Sequence, residues 1–144
     1  MTDKVKYDPD NIFAKMIRGD MSCVKVYEDD TILAFMDIFP QSEGHTLVIP
    51  KKAKATMLFD IDTDHLKDLI EGVQKVARVV DKALKPDGVR IAQFNGAESG
   101  QTVFHIHFHI IPIYAGQPLG RHAGGAPADV SRLTETASRI AGAF

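Results

Sequence analysis

Residues 103–112 read Val-Phe-His-Ile-His-Phe-His-Ile-Ile-Pro, so three histidines alternate with β-branched and aromatic side chains. That composition favours a strand, and successive side chains on a strand point to opposite faces. The pattern predicts a strand over residues 102–111, with His105, His107 and His109 on one face and Phe104, Ile106, Phe108 and Ile110 on the core face. At a rise of about 3.4 Å per residue, neighbouring histidines would stand roughly 7 Å apart and the outer two roughly 14 Å. Three ligands to one ion from this strand alone are therefore not expected. Any one histidine here reads as an ordinary half-buried residue. Three in alternation, half of the six in the chain, point to chemistry, because imidazole is a nucleophile and a proton carrier near neutral pH.

The rest of the chain supplies a scaffold. Ile12, Phe13, Met16 and Ile17 share a helical spacing over residues 11–18, with Asp10 or Asn11 as cap and Gly19 as stop. Residues 24–27 and 32–37 are β-rich and separated by Glu28, Asp29 and Asp30, which predicts a hairpin, and residues 46–49 add a third strand closed by Pro50. Over residues 64–85, Leu66, Leu69, Ile70, Val73, Val76, Ala77, Val80, Ala83 and Leu84 form the stripe of a long helix. Asp62 or Thr63 can cap it, and Pro86 with Gly88 ends it. Gly72 inside that helix costs about 1 kcal/mol relative to alanine, which marks a close packing contact. A fourth strand over 89–94, a turn-rich stretch over 95–101, a Gly- and Pro-rich stretch over 115–127 and a helix over 129–141 complete the reading. Short connections favour antiparallel pairing and one helix alone can serve as a crossover. The expected class is α+β, with one largely antiparallel sheet of about five strands; a parallel βαβ fold fits less well.

The chain of 144 residues is the size of one domain. Its 17 basic and 19 acidic residues are scattered, and the densest basic patch, Lys51, Lys52 and Lys54, is too short to track a nucleic-acid backbone. Cys23 is the single cysteine, so no internal disulfide or CxxC metal knuckle is available, and a buried or half-buried thiol is the commoner role for it than a nucleophile. The polar start and the lack of a long apolar run predict no secretory signal and no membrane contact, hence a cytoplasmic protein.

The segment His-Ile-His-Phe-His-Ile-Ile (residues 105–111), preceded by Gln-Thr-Val-Phe, resembles the signature of the histidine triad (HIT) family. So does the stretch over residues 26–52, with its Gly-His-Thr-Leu-Val-Ile-Pro. The resemblance runs over about residues 11–114, leaving 115–144 as a C-terminal extension of a single HIT domain. The branch it most resembles is that of the Hint-type nucleoside phosphoramidases. It implies a homodimer whose sheets join edge to edge, and a reaction in which His107 attacks the α-phosphate of a purine nucleoside phosphoramidate or anhydride. The nucleotidyl-histidine is then hydrolysed, so one difficult displacement becomes two easier ones. The resemblance further implies that His105 holds the local backbone, His109 contacts the phosphate or leaving group, His45 orients the nucleophile and the Thr102 hydroxyl passes a proton to a leaving amine. Asp37 would bind the ribose hydroxyls, and Ile12, Phe13, Phe35 and Ile38, with Met16, would line the base pocket. Asn95, Gln101 and the turn over residues 96–100 would offer donors to the phosphate oxygens.

Two departures qualify the likeness. Where some family members carry CxxC for a structural zinc, this chain has Asn11, Ile12, Phe13 and Ala14, so no metal and no resident cofactor are expected, magnesium entering at most with a polyphosphate substrate. The chain has no tryptophan, whereas eukaryotic Hint proteins place one near the substrate, and it continues instead through Arg121 and His122. Three readings follow: a nucleotidyl hydrolase or transferase, with a dinucleoside polyphosphate hydrolase of the Fhit type as its alternative; a metal-dependent hydrolase or lyase using His-x-His and a third histidine such as His45; and a nucleotide-binding module with little activity, or a scaffold in protein assemblies.

Overall fold

The computed structural model describes residues 5–144. Helix α1 (Ile12–Arg18) begins where the Asn11 side chain accepts from the Phe13 and Ala14 N–H groups, and ends at Gly19, whose φ of 85° lets its N–H reach the Lys15 and Met16 carbonyls. Strand β1 (Lys25–Glu28) turns into β2 (Ile32–Met36) around Asp29, whose Oδ1 accepts from Thr31 and Ile32 N–H at 2.8 and 2.9 Å. Then come β3 (Thr46–Pro50), the long α2 (Thr63–Leu84), β4 (Gly88–Ala92), a single 3-10 turn at Ala97–Ser99, β5 (Phe108–Ile113) and α3 (Val130–Ala141). Asp62 caps α2 through the His65 N–H.

The strands pair in the order β1-β2-β3-β5-β4, every neighbour antiparallel, as the sequence predicts. Helix α2 carries the chain from β3 over to β4 and leaves a central place that β5 fills. Strands β2 and β3 are buried along their whole length, because both faces of the sheet are covered. Ile32, Ala34, Met36, Val48 and Ile110 pack against Leu69, Val73, Val76 and Val80 of α2 and Leu133, Ala137 and Ile140 of α3. Leu33, Phe35, Leu47 and Ile49 pack on the other face against Phe13 of α1. The C-terminal helix is thus part of the main core. Gly72 lets α2 approach the sheet: a Cβ there would fall 2.7 Å from Cδ1 and 2.8 Å from Cγ2 of Ile32.

Four expectations need correction. The triad segment is not one strand: β5 begins only at Phe108, so His105 and His107 precede it. The reason is long-range, since the Ile106 N–H donates to the Ala55 carbonyl at 2.9 Å and draws the segment out of the sheet. Ile106 and Ile110 are fully buried in the core as expected, but the histidine face is buried too: all three histidines are buried, while Phe104 and Phe108 are only half-buried. Strand β4 stops at Ala92, two residues short of Phe94, and Ile70 of the helical stripe is 46% exposed.

Candidate active site

Sheet register sets the first part of the site. Phe35 pairs with Leu47, Leu47 with His109, and His109 with Ala92, so these side chains form one row on the face that α1 covers. Phe13 closes the row from above, edge-on to Phe35 at a ring-centroid distance of 5.2 Å and edge-on to His107 at 5.0 Å. Because the chain bends before β5, the His107 and His109 rings approach to 5.0 Å instead of the 7 Å of a regular strand.

Hydrogen bonds fix the state of each ring. The His105 carbonyl can only accept, so His107, 2.7 Å away through Nδ1, donates from that nitrogen. Its lone pair is therefore on Nε2, which makes no hydrogen bond among the described residues. In the same way His105 donates from Nε2 to the Pro50 carbonyl at 3.2 Å and accepts at Nδ1 from the Tyr7 hydroxyl at 2.9 Å. His45 accepts at Nδ1 from the Gln41 N–H at 3.0 Å, so its proton is on Nε2, which lies 2.9 Å from His109 Nδ1 and 3.4 Å from Asp37 Oδ2. His109 then carries its proton on Nε2, a buried nitrogen without a partner among the described residues. Burial is the leading cause that lowers all four pKa values. It brings His105 to about 4 and His109, with His107, His45 and His122 adding to the effect, to about 2. His45 and His107 shift the same way, although Asp37 opposes the shift in both. Each ring is neutral at pH 7, which leaves His107 a free lone pair.

A cavity of about 810 Å³ opens beside these rings, a size suited to a nucleotide. Of the predicted residues, Ile12, Phe13, Phe35, Asp37, Ile38, Thr102, His107 and His109 line it, as does Met16. His45 stands behind His109. His105 does not reach the cavity and instead ties α1 to the end of β3. Asn95 and Gln101 are not brought to it either. The Asn95 Oδ1 accepts from the Leu58 N–H at 2.8 Å, and Gln101 is buried, accepting from Gly96 N–H at 2.8 Å and donating to the Thr56 carbonyl at 2.6 Å. Both hold the loop in shape. Burial pushes the half-buried Cys23 thiol up, so it stays protonated at the cavity wall.

Asp37, His45 and His109 offer three ligand atoms within 4.8 Å of one another. A metal on His45 Nε2 would displace its proton to Nδ1, where N–H would then face the Gln41 N–H. The set is arranged for passing hydrogen bonds more than for chelation.

One wall was not foreseen. Residues 115–128 cross the site as a strap, held by Gly120 N–H to the Gln41 carbonyl at 2.7 Å, Ala128 N–H to the Ile38 carbonyl at 2.8 Å, and His122 Nε2 to the Gly100 carbonyl at 2.7 Å. His122 thereby joins the cavity lining, 5.0 Å from Phe94 and 5.5 Å from His109 between ring centroids. The sequence signal was a histidine inside a Gly- and Pro-rich stretch.

The HIT domain family matches residues 18–116. The chain belongs to the HIT family. Among its relatives, the adenosine 5'-monophosphoramidase hnt1 of Schizosaccharomyces pombe is 44% identical over 101 residues, 70% of this chain and 72% of that protein. The adenylylsulfatase HINT3 of Arabidopsis thaliana is 35% identical over 136 residues, 90% of this chain and 68% of that protein. The crystal structure of a Hit-like protein involved in cell-cycle regulation from Bartonella henselae superposes on this HIT domain with a TM-score of 0.88 at 49% identity, covering 96% of this chain and 100% of that one. Among the described residues of the HIT chain, no helix is long and apolar enough to cross a membrane.

Proposed function

We infer that this HIT protein is a nucleotide hydrolase that cleaves purine nucleoside phosphoramidates through a covalent nucleotidyl-histidine on His107. One observation carries the reading: His107 donates from Nδ1 to the His105 carbonyl, leaving the Nε2 lone pair on a ring that lines the cavity. Attack by Nε2 on the α-phosphorus forms an N–P bond and expels the amine; water then displaces His107 and releases the nucleoside monophosphate. The His109 Nε2–H, without an acceptor in the protein, suits a phosphoryl oxygen, and the His45–His109 hydrogen bond holds it in place. Asp37, whose Oδ1 already accepts from the Phe39 N–H at 2.8 Å, keeps acceptor capacity for ribose hydroxyls. Phe13, Phe35, Ile12 and Ile38 supply apolar surface for a base. The two relatives' names share an adenylyl group and differ in what leaves, which supports the adenosine half of the substrate.

Mixing the protein with an adenosine phosphoramidate labelled at the α-phosphate and quenching rapidly is expected to leave an acid-labile, base-stable label on His107. His107→Ala is expected to abolish label and turnover while nucleotide binding persists. Near-normal turnover by His107→Ala would falsify the reading.

A further inference from the structure

We propose that His122, carried by the strap over residues 115–128, protonates the leaving nitrogen and makes this site selective for amine leaving groups. The proposal rests on the nucleotidyl-histidine reading and adds a residue on the far side of phosphorus from the nucleophile. The ring donates from Nε2 to the Gly100 carbonyl, which fixes its orientation and leaves Nδ1 as the working atom. That Nδ1 is buried and has no partner among the described residues. The groups the ring meets are the Gly100 carbonyl, the Phe94 ring and the His109 imidazole, none of which satisfies Nδ1. An unpartnered buried nitrogen needs a partner, and the cavity is where a ligand would supply one. All three of His107, His109 and His122 line the cavity, the His109 ring standing 5.0 Å from that of His107 and 5.5 Å from that of His122 between centroids. In-line displacement puts the leaving atom on the side of phosphorus away from His107, which is where we set His122, the cavity-lining histidine not in ring contact with His107.

The step balances. In the imidazolium form the Nδ1–H of His122 bonds to the bridging nitrogen. As His107 Nε2 forms its bond to phosphorus, the P–N bond breaks, its electron pair goes to nitrogen, and the proton moves from Nδ1 to give a neutral amine. In the second half, water forms the O–P bond and gives its proton to Nδ1, while the pair of the N–P bond returns to His107 Nε2. His122 ends as the imidazolium it began as. A bridging oxygen of an anhydride leaves as a weakly basic anion and gains less from the proton.

The test compares two leaving groups in single turnover with the full-length protein in excess. One substrate is the adenosine phosphoramidate of an alkylamine, which needs a proton to leave; the other is the p-nitrophenyl ester of AMP, which leaves as a stable anion. His122→Asn and His122→Ala are expected to slow amine release on the order of a hundredfold or more and nitrophenol release far less. Equal slowing of both, or none of either, overturns the assignment of His122 while leaving the labelling of His107 intact. A selective loss in Thr102→Val with His122→Asn unaffected gives the proton to Thr102 and also overturns it. Absence of release and of label in the unsubstituted protein removes the underlying reading as well.

Discussion

His45 Nε2 lies 2.9 Å from His109 Nδ1, and that hydrogen bond decides which nitrogen of His109 carries the proton. His45 is fully buried and touches no part of the cavity, so it acts through His109. Removing it frees the His109 ring to turn and to change tautomer. His45→Ala is expected to lower kcat by roughly up to a hundredfold, in line with the cost of a small misplacement. The Kd for AMP, read by calorimetry, is expected to change only a few-fold. A loss as complete as that of His107→Ala would place His45 in the bond-making step and defeat this division of roles.

Metal removal separates proton relay from chelation at the Asp37, His45 and His109 cluster. Phosphoramidate turnover is expected to survive EDTA, and protein purified without added metal is expected to hold far less than one equivalent by elemental analysis. Stoichiometric zinc together with loss of turnover in EDTA would reassign the cluster as a metal centre.

Acid is expected to destabilise the fold in a defined window. His105 titrates near 4 in the folded protein against an ordinary 6.5, so between those values the unfolded chain binds more protons. Its contribution is fully present above pH 6.5 and is lost as pH falls toward 4, amounting to about 3 kcal/mol. His109 extends the same trend downward toward about 2. Urea midpoints measured at pH 7, 5.5 and 4 check this, with His105→Gln showing the shallower decline. Identical slopes for the two proteins would remove His105 from the account.

Gly72→Ala sets two effects against each other. Alanine gains about 1 kcal/mol of helix propensity, but its Cβ would sit 2.8 Å from Cγ2 of fully buried Ile32. Overpacking of this kind costs typically 1–3 kcal/mol, so a net loss on the order of 1 kcal/mol is expected in thermal or urea melts. Pairing it with Ile32→Val, which removes the Cδ1 contact, is expected to recover part of the loss. A stabilised single variant would show that the helix can shift without cost.

Self-association is expected at the β4 edge. The other edge strand, β1, meets α3, whereas β4 exposes Ile91 at 46%, and Ile70 on α2 is equally exposed. An open edge beside apolar side chains invites pairing with a second copy. Light scattering at micromolar concentration is expected to give a dimer, and Ile91→Lys to shift it toward monomer. A monomer from the unsubstituted chain counts against the pairing.

What could be read from the sequence is what is locally determined. The α2 stripe apart from Ile70, the Asp62 and Asn11 caps, each one of two residues the pattern offered, the Gly19 stop of α1 and the Asp29 turn depend on near neighbours and stand where the pattern allowed. The triad segment does not, because alternation looks the same whether or not a strand is paired. Here the Ala55 carbonyl, far away in sequence, takes the Ile106 N–H and bends the chain. Asn95 and Gln101 were expected to face phosphate, but their amides close the loop on Leu58, Gly96 and Thr56 instead. His122 could not be placed from pattern, since the strap has no periodicity and its position follows from hydrogen bonds to Gln41, Ile38 and Gly100.

The strap divides the molecule by tolerance to change. Two of its three anchors are backbone N–H groups, those of Gly120 and Ala128, which any residue but proline presents, while the third is the His122 ring itself, so side chains of the strap other than His122 are not what attaches it. The nucleophile and its hydrogen-bonded neighbours sit on buried elements where almost every substitution meets packed atoms. Such a layout lets lineages exchange one wall of the pocket, and with it the acceptable leaving group, while the bond-making apparatus stays fixed.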